Sequence, residues 1–487
     1  MEGKRAEAVV VINMRNNLII TICCCLVFSI ANAQSETVKS TYKKKVLEMA
    51  EVDFLMSYYT QKGNHASVTG GIGDEKLTDL TPTIIVAIPL NADDVLTIDA
   101  GISAYTSASS SILDPFDASG ASSGNNGVTG SPWVESSGAS RVDVWTSING
   151  SYSHSSDDRN KIWTANIGFA TEYDYTSLGF GGGFTKLFNE RNTEIAIKGQ
   201  VYIDSWKPKY PTELDSYLEA DQNLNNGFFS TVDILNQSGD VIDKNGGTVW
   251  SPLNTTLIVD KSRNSYSVSF NFSQILSKNA QFSLFFDLIQ QKGWLANPMQ
   301  RVYFADRDNY YIGNPSSISN YTSPTNTDVF QLADDIERLP DSRFKIPIGT
   351  RLNYYINEAI SLRTYYRYYY DDWGMRSHTA SIEIPIKFSE GKFTLYPNYR
   401  FYNQTAADYF APYESHVSSS EFYTSDYDLS KFDSHQYGLG FKYTDIFAKL
   451  KLFKLGLKSV DLRYSFYDRS DGLQSNIISA GFKFVLD

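Results

Sequence analysis

From residue 51 to the C-terminus, apolar and polar side chains alternate at every second position, and the alternation restarts many times along the chain. A period of two sends successive side chains to opposite faces, so each such segment is an extended strand that separates an apolar side from a polar one. In Tyr266–Ser273, Tyr266, Val268, Phe270 and Phe272 share one face and Ser267, Ser269, Asn271 and Ser273 the other. Tyr437–Tyr443, Val460–Phe466, Ala380–Phe388 and Ile360–Tyr370 repeat the pattern, the last with Leu362, Tyr366 and Tyr368 against Arg363 and Arg367. Helical periodicity is nearly absent. Past residue 33 no apolar run approaches the ~18 residues of a spanning helix, so membrane residence requires a different architecture.

Strands are expected at 51–60, 81–91, 94–106, 141–154, 161–174, 176–188, 193–205, 264–276, 279–291, 343–356, 359–371, 377–388, 391–403, 435–445, 457–467 and 474–486. That is about sixteen, an even number. The links then sort by side. Short ones at 91–93, 155–160, 190–192, 277–279, 357–359 and 389–391 fall at one end, and long ones at 61–80, 107–140, 206–263, 292–342 and 404–434 at the other. A soluble sandwich has no reason to sort its loops in this way. The pattern predicts an all-β fold: a transmembrane antiparallel up-and-down β-barrel of about sixteen strands, with short periplasmic turns and long extracellular loops.

Composition fits this architecture. The 33 Tyr and 29 Phe are expected partly as interfacial girdles, from Tyr58, Tyr59, Tyr173, Tyr354, Tyr355, the run 365–370, Trp373, Tyr399 and Tyr464. Polar loops and half-polar strands account for a mean hydropathy of −0.30. Ser107–Ser111 and Asp117–Ser140 read as flexible surface loop.

Residues 14–33 read as a secretory signal, with Arg15, an apolar stretch over Leu18–Ile30 and the small-residue site Ala31-Asn32-Ala33. The expected organisation is therefore a signal peptide over 1–33 with Met14 as the true start, a periplasmic segment over 34–50, and the barrel over 51–487. All three cysteines (Cys23, Cys24, Cys25) lie in the apolar stretch, so the mature chain is expected to lack disulfides, Cys-ligated metals and covalent haem. Cleavage removes three of 43 basic and two of 55 acidic side chains, leaving a net charge of −13. An acidic excess argues against nucleic acid as a partner. The expected partners are outer-membrane lipid and the barrel-assembly machinery. Phe482, Phe484 and Leu486 alternate as an assembly signal does, although Asp487 closes the chain.

The polar faces of the tenth to thirteenth strands bring Lys345, Arg351, Arg363, Arg367, Glu383, Lys387 and Arg400 to the lumen. This strip either attracts anions and sets pore selectivity or forms wall-stiffening salt bridges. His378, with Ser377, Asp371 and Asp372 nearby, could be forced into a hydrolase constellation, but Ser377 and His378 point to opposite faces of an extended strand. No catalytic residue, cofactor or metal is expected. The oxygen-rich loop stretches Asp306–Asn309 and Asp240–Gly246 lack a full calcium-loop spacing, and Gly-rich Thr69–Gly73 has no following helix and reads as a turn.

Several stretches resemble a bacterial family, domain-of-unknown-function number thirty-five seventy, of Bacteroidetes and other Gram-negative bacteria. They are Val68–Asp79, Tyr105–Ser110, Arg301–Phe304, Tyr368–Gly374 with Ser377–Thr379, Gln404–Phe410 and Phe422–Leu429. The resemblance implies an outer-membrane β-barrel without assigned substrate, and periplasmic redox neighbours of thioredoxin-like and flavin-transferring type. Three readings follow: a porin-like pore or transport channel, a barrel that scaffolds or sheaths an extracytoplasmic redox partner, and a barrel-embedded hydrolase.

Overall fold

Alternating β-branched and aromatic residues favour extended backbone, and in the computed structural model they form sixteen long antiparallel strands. Residues 45–107, 143–255, 261–326 and 328–486 are described. The strands are β1 (Glu51–Lys62), β2 (Leu77–Pro89), β3 (Asp94–Ser107), β4 (Asp143–Ser155), β5 (Lys161–Thr171), β6 (Tyr175–Phe188), β7 (Thr193–Trp206) and β8 (Lys261–Ser277). They continue as β9 (Ala280–Gly293), β10 (Ser342–Tyr355), β11 (Ser361–Asp371), β12 (Arg376–Glu383, resumed at Ile386–Phe388), β13 (Phe393–Gln404), β14 (Phe432–Thr444), β15 (Leu455–Arg469) and β16 (Gln474–Leu486). Each pairs with the next, and β1 pairs with β16 from Glu51↔Val485 to Lys62↔Gln474. The ring is therefore closed, and none of these sixteen strands keeps an open edge.

Ala380–Phe388, which alternates without a break in sequence, is interrupted at Ile384-Pro385. Proline has no N–H for the ladder, and Ser361 N instead donates to Pro385 O at 3.1 Å.

Contacts that skip strands identify the inner face. The Glu383 carboxylate of β12 accepts from Arg363 of β11 at 2.8 Å and from Arg463 of β15 at 2.9 Å. Strands β13 and β14 lie between β12 and β15, so the second bond can form only across the concave side. Period two then assigns the other side chains. Phe54, Ile148, Ile167, Ile197, Ile348, Leu439, Leu462 and Ile478 are exposed on the outer wall, and Phe270 and Phe286 stack there at 4.6 Å. Of the expected girdle residues, Tyr58, Tyr366, Tyr370 and Tyr464 are exposed outward, whereas alternation turns Tyr59, Tyr365 and Tyr369 inward. Trp373 is no girdle residue. It is buried at the loop end, beneath the Arg343 guanidinium at 4.3 Å, and its Nε1 donates to Ser342 O.

The links 90–93, 156–160, 189–192, 278–279, 356–360 and 389–392 form the tight-turn end, and 445–454 makes a longer hairpin there. At the other end the described residues of the links 63–76, 207–255, 294–341 and 405–431 pack into a cap with its own core, and the short links 172–174, 372–375 and 470–473 also lie at this end, where only long loops were expected. Tyr217, Phe229, Ile234, Trp250, Ile312, Phe330 and Leu332 are buried together in it. A helix, α1 (Thr212–Glu219), sits in this cap, where only irregular loop was expected. The signal segment and the Ser/Gly-rich stretch at 117–140 lie outside the described residues.

A wall one residue thick has no interior, so its outer face must match the solvent around it. Ile348→Arg, in the middle of β10, should lower unfolding free energy in lipid vesicles by about 2–4 kcal/mol, as measured by denaturant titration. Ser267→Lys on the inner face should stay within ~0.5 kcal/mol.

Candidate functional site

The inner face of β10–β15 carries the basic strip. Arg363 stands opposite Glu383 in the β11–β12 ladder and pairs with it. Arg463 completes that site from β15, and Arg363 and Arg463 lie over the Tyr396 ring at 5.9 and 4.8 Å. Arg351 faces Tyr365, and its guanidinium lies over the Phe285 and Tyr365 rings at 5.0 and 5.6 Å. Those rings stack on each other at 5.7 Å. Gly349 makes this possible, because a Cβ there would sit 2.5 Å from the Phe285 ring. Arg367 stands opposite Thr379, with its Nε buried and unbonded. Arg400 faces Ser381 and Gln436, and Lys345 faces Asp371 and Ile289. Lys387 lies apart, opposite Thr394 beyond the Pro385 break at the tight-turn end.

Arg363 and Glu383 are thus brought into contact, whereas Arg351, Arg367, Arg400, Lys345 and Lys387 have no carboxylate ion-pair partner among the described residues. Arg463 was legible in sequence, since it alternates with Leu462 and Tyr464 in a segment already read as strand. Its partner three strands away was not. β1–β3 turn Glu51, Asp53, Asp79 and Asp99 to the same inner side by register. Glu51 bonds to Lys458 of β15 at 3.0 Å and to Lys483 of β16 at 2.6 Å, so this stretch of the interior carries the acidic side chains and β10–β15 most of the basic ones.

The cap is braced across the mouth. Arg301, on the β9–β10 link, donates from Nε and Nη2 to Glu213 of α1 at 2.7 and 3.0 Å, and from Nη1 to Val68 O at 2.9 Å. Arg301 is 5% exposed and Glu213 1%. Val68 lies on the β1–β2 link, eight strands around the ring from β9–β10. A ring of sixteen strands at ~4.8 Å spacing and ~40° tilt is roughly 30 Å across, so the loops meet from opposite rims and cross the opening. Gly70, at φ +79°, packs where a Cβ would be 2.7 Å from the Tyr303 ring, so Gly-rich Thr69–Gly73 is a close-packed turn of this brace. The 405–431 link ties in through Tyr423 Oη, which donates to Asp335 at 2.6 Å, and Thr424 Oγ1, which donates to Glu337 at 2.5 Å. The α1 brace was missed because an eight-residue helix offers only Leu214, Tyr217 and Leu218 as periodic signal.

A carboxylate in each of the two oxygen-rich stretches holds a loop in place. Asp306 accepts from Ser418 N and Oγ, both at 2.8 Å, and Asp243 closes a turn by accepting from Asn245 N. Among the described residues no group of three His, Cys, Asp or Glu is placed to hold a metal. Burial, reinforced by Asp426, pushes the Glu337 carboxyl up to about 8. Burial, reinforced by Asp428, does the same for Glu75, also to about 8.

A closed antiparallel ring, apolar outside and charged inside, defines a membrane-spanning β-barrel. The chain belongs to the family described as Protein of unknown function (DUF3570), whose profile matches residues 18–459. No curated protein matches it. Among solved structures it is similar to a bacterial polysaccharide outer membrane secretin (TM-score 0.41, 9% identity, covering 91% of this chain and 100% of that one). It is also similar to the outer membrane protein opdK from Pseudomonas aeruginosa (TM-score 0.36, 7% identity, covering 90% and 99%). The barrel itself is defined by the strand pairing, closed through β1 and β16.

Two outcomes follow for the cap. Arg301→Met leaves Glu213 buried and unpaired and should cost about 3–5 kcal/mol of cap stability, while Arg301→Met with Glu213→Leu should cost much less. Hydrogen exchange of amides in 207–260 and 294–341 reads both. Because the folded-state pKa of Glu337 and Glu75 lies above the ordinary 4.5, their contribution is fully present below that value. It is lost as pH rises through about 8. Exchange in the cap, corrected for its intrinsic pH dependence, should quicken between pH 5 and 9, and Glu337→Gln should flatten the profile.

Proposed function

We propose that the protein is a porin-like pore of the Gram-negative outer membrane, roofed by its cap, which passes small anionic solutes along the basic wall. The observation that carries this reading is the set of Arg351, Arg367 and Arg400 on the concave face, which have no carboxylate partner among the described residues. Unpaired guanidinium groups in a confined interior hold a positive potential that draws anions in. Arg351, clasped by two rings, keeps its planar fork free for bidentate contact with a carboxylate or phosphate. The leader-like N-terminus and the closed, apolar-walled ring support the location. The orientation, with tight turns in the periplasm and the cap outside, follows the sorting of links by length.

No enzymatic role is proposed. His378 bonds to Tyr366 Oη at 2.8 Å on the outer wall, while Ser377 is buried and occupies the opposite face of β12. A second reading is favoured by the brace across the mouth: a sealed barrel that scaffolds an extracytoplasmic redox partner.

Single-channel recording in planar bilayers separates the two. A pore should conduct with chloride preferred over potassium, and Arg351→Gln, Arg367→Gln and Arg400→Gln combined should cut that preference severalfold. Conductance should rise in Arg301→Met, where the brace is lost. A barrel that stays silent in both the wild-type and the Arg301→Met forms overturns the pore reading and leaves the scaffold.

A further inference from the structure

The hairpin that joins β14 to β15 differs from the other described tight turns. Those links are dominated by Asn, Asp, Ser, Glu and Arg, whereas residues 445–455 read Asp-Ile-Phe-Ala-Lys-Leu-Lys-Leu-Phe-Lys-Leu. Ile446 is 79% exposed, Phe447 80% and Phe453 94%.

These side chains are held outward by a built turn. The Asp445 carboxylate accepts from Phe447 N at 3.1 Å and Lys449 N at 2.9 Å. Ala448 folds against Gly456, where a Cβ would lie 2.9 Å from the alanine methyl. Asp445 N donates to Lys458 O and Leu457 N to Leu450 O, so the ladder of β14 and β15 runs on past the rim. Leu457 stands opposite Phe484, which stands opposite Val52 on the outer wall. Leu457, near the start of β15, thus belongs to the lipid-facing band, and Leu450, bonded opposite it, carries that band into the hairpin.

Charge points to the same occupant. On a chain of net charge −12, this segment sets three lysines against one aspartate. Exposed aromatic and leucine side chains with interleaved lysines suit a phospholipid interface, where rings sink to the acyl boundary and ammonium groups reach phosphates. We infer that the 445–455 hairpin is a foot embedded in the periplasmic leaflet, where it gathers anionic phospholipid. The inference rests on the membrane-spanning barrel and its orientation and is independent of whether the pore conducts.

The test uses the full chain with Cys23→Ser, Cys24→Ser and Cys25→Ser, so that Phe453→Cys carries the single thiol for an environment-sensitive fluorophore. Heat-shifted gel mobility confirms that the barrel has folded. In nanodiscs of phosphatidylethanolamine and phosphatidylglycerol, a foot predicts blue-shifted emission, quenched roughly twofold or more by lipids brominated near the headgroup. A label at Asn91→Cys, on a polar turn of the same rim, should stay unquenched. Lys449→Gln with Lys454→Gln should at least halve the phosphatidylglycerol retained by the purified barrel, leaving folding unchanged. The inference is overturned if the label at 453 is as water-exposed as that at 91, or if it is shielded only after a periplasmic extract is added, which would make the hairpin a protein-docking site.

Discussion

Closure of the ring by the β1–β16 ladder is the constraint on which the rest of the molecule depends. Hydrocarbon offers no partner to a backbone N–H or C=O, so every strand must pair on both sides. The first and last strands can do so only with each other, as Glu51↔Val485 through Lys62↔Gln474 show. Once the ring is shut, each side chain has one of two surroundings, and the period of two decides which. Pro385 marks how little disruption the ladder tolerates: β12 is cut into two pieces, and the Pro385 carbonyl accepts from Ser361 N at the start of β11.

A single-layer wall cannot bury a core of its own, and in this protein much of the close packing is in the cap. Phe229, Trp250 and Ile234 are almost completely buried in links that would otherwise be solvent-exposed loops. The Arg301–Glu213 pair adds little net stability by itself, since taking both charges out of water costs much of what their attraction returns. Its contribution is registry. One guanidinium fork holds a helix from the β7–β8 side and a carbonyl from the β1–β2 side in a single arrangement, so the cap crosses the mouth as one body. The same burial that packs the cap pushes the Glu337 and Glu75 carboxyls up to about 8 and ties the cap's tightness to the proton concentration.

The strands were legible because alternation is a local property, and Tyr266–Ser273 or Val460–Phe466 carries it within eight residues. Features that depend on non-local partners were not. Trp373 looks like a girdle residue in sequence, but it is buried under Arg343, from a strand that begins thirty residues earlier. Helix α1 spans barely two turns, too short for a period of 3.6 to stand out from its flanks. In sequence Glu383 belongs to the polar face of its strand. That it would join Arg363 and Arg463 around Tyr396 depends on the curvature of the wall, which no pattern along the chain records.

By itself, then, the sequence determined that the chain forms about sixteen alternating strands and that the longest links fall at one end, because both follow from side-chain alternation and link length. Only the tertiary structure decided which arginines meet a carboxylate among the described residues and which do not, and that the long loops meet over the opening through Arg301, Glu213 and Val68. Those outcomes depend on distances between strands up to half a circumference apart, and closure of the ring is what brings them within reach.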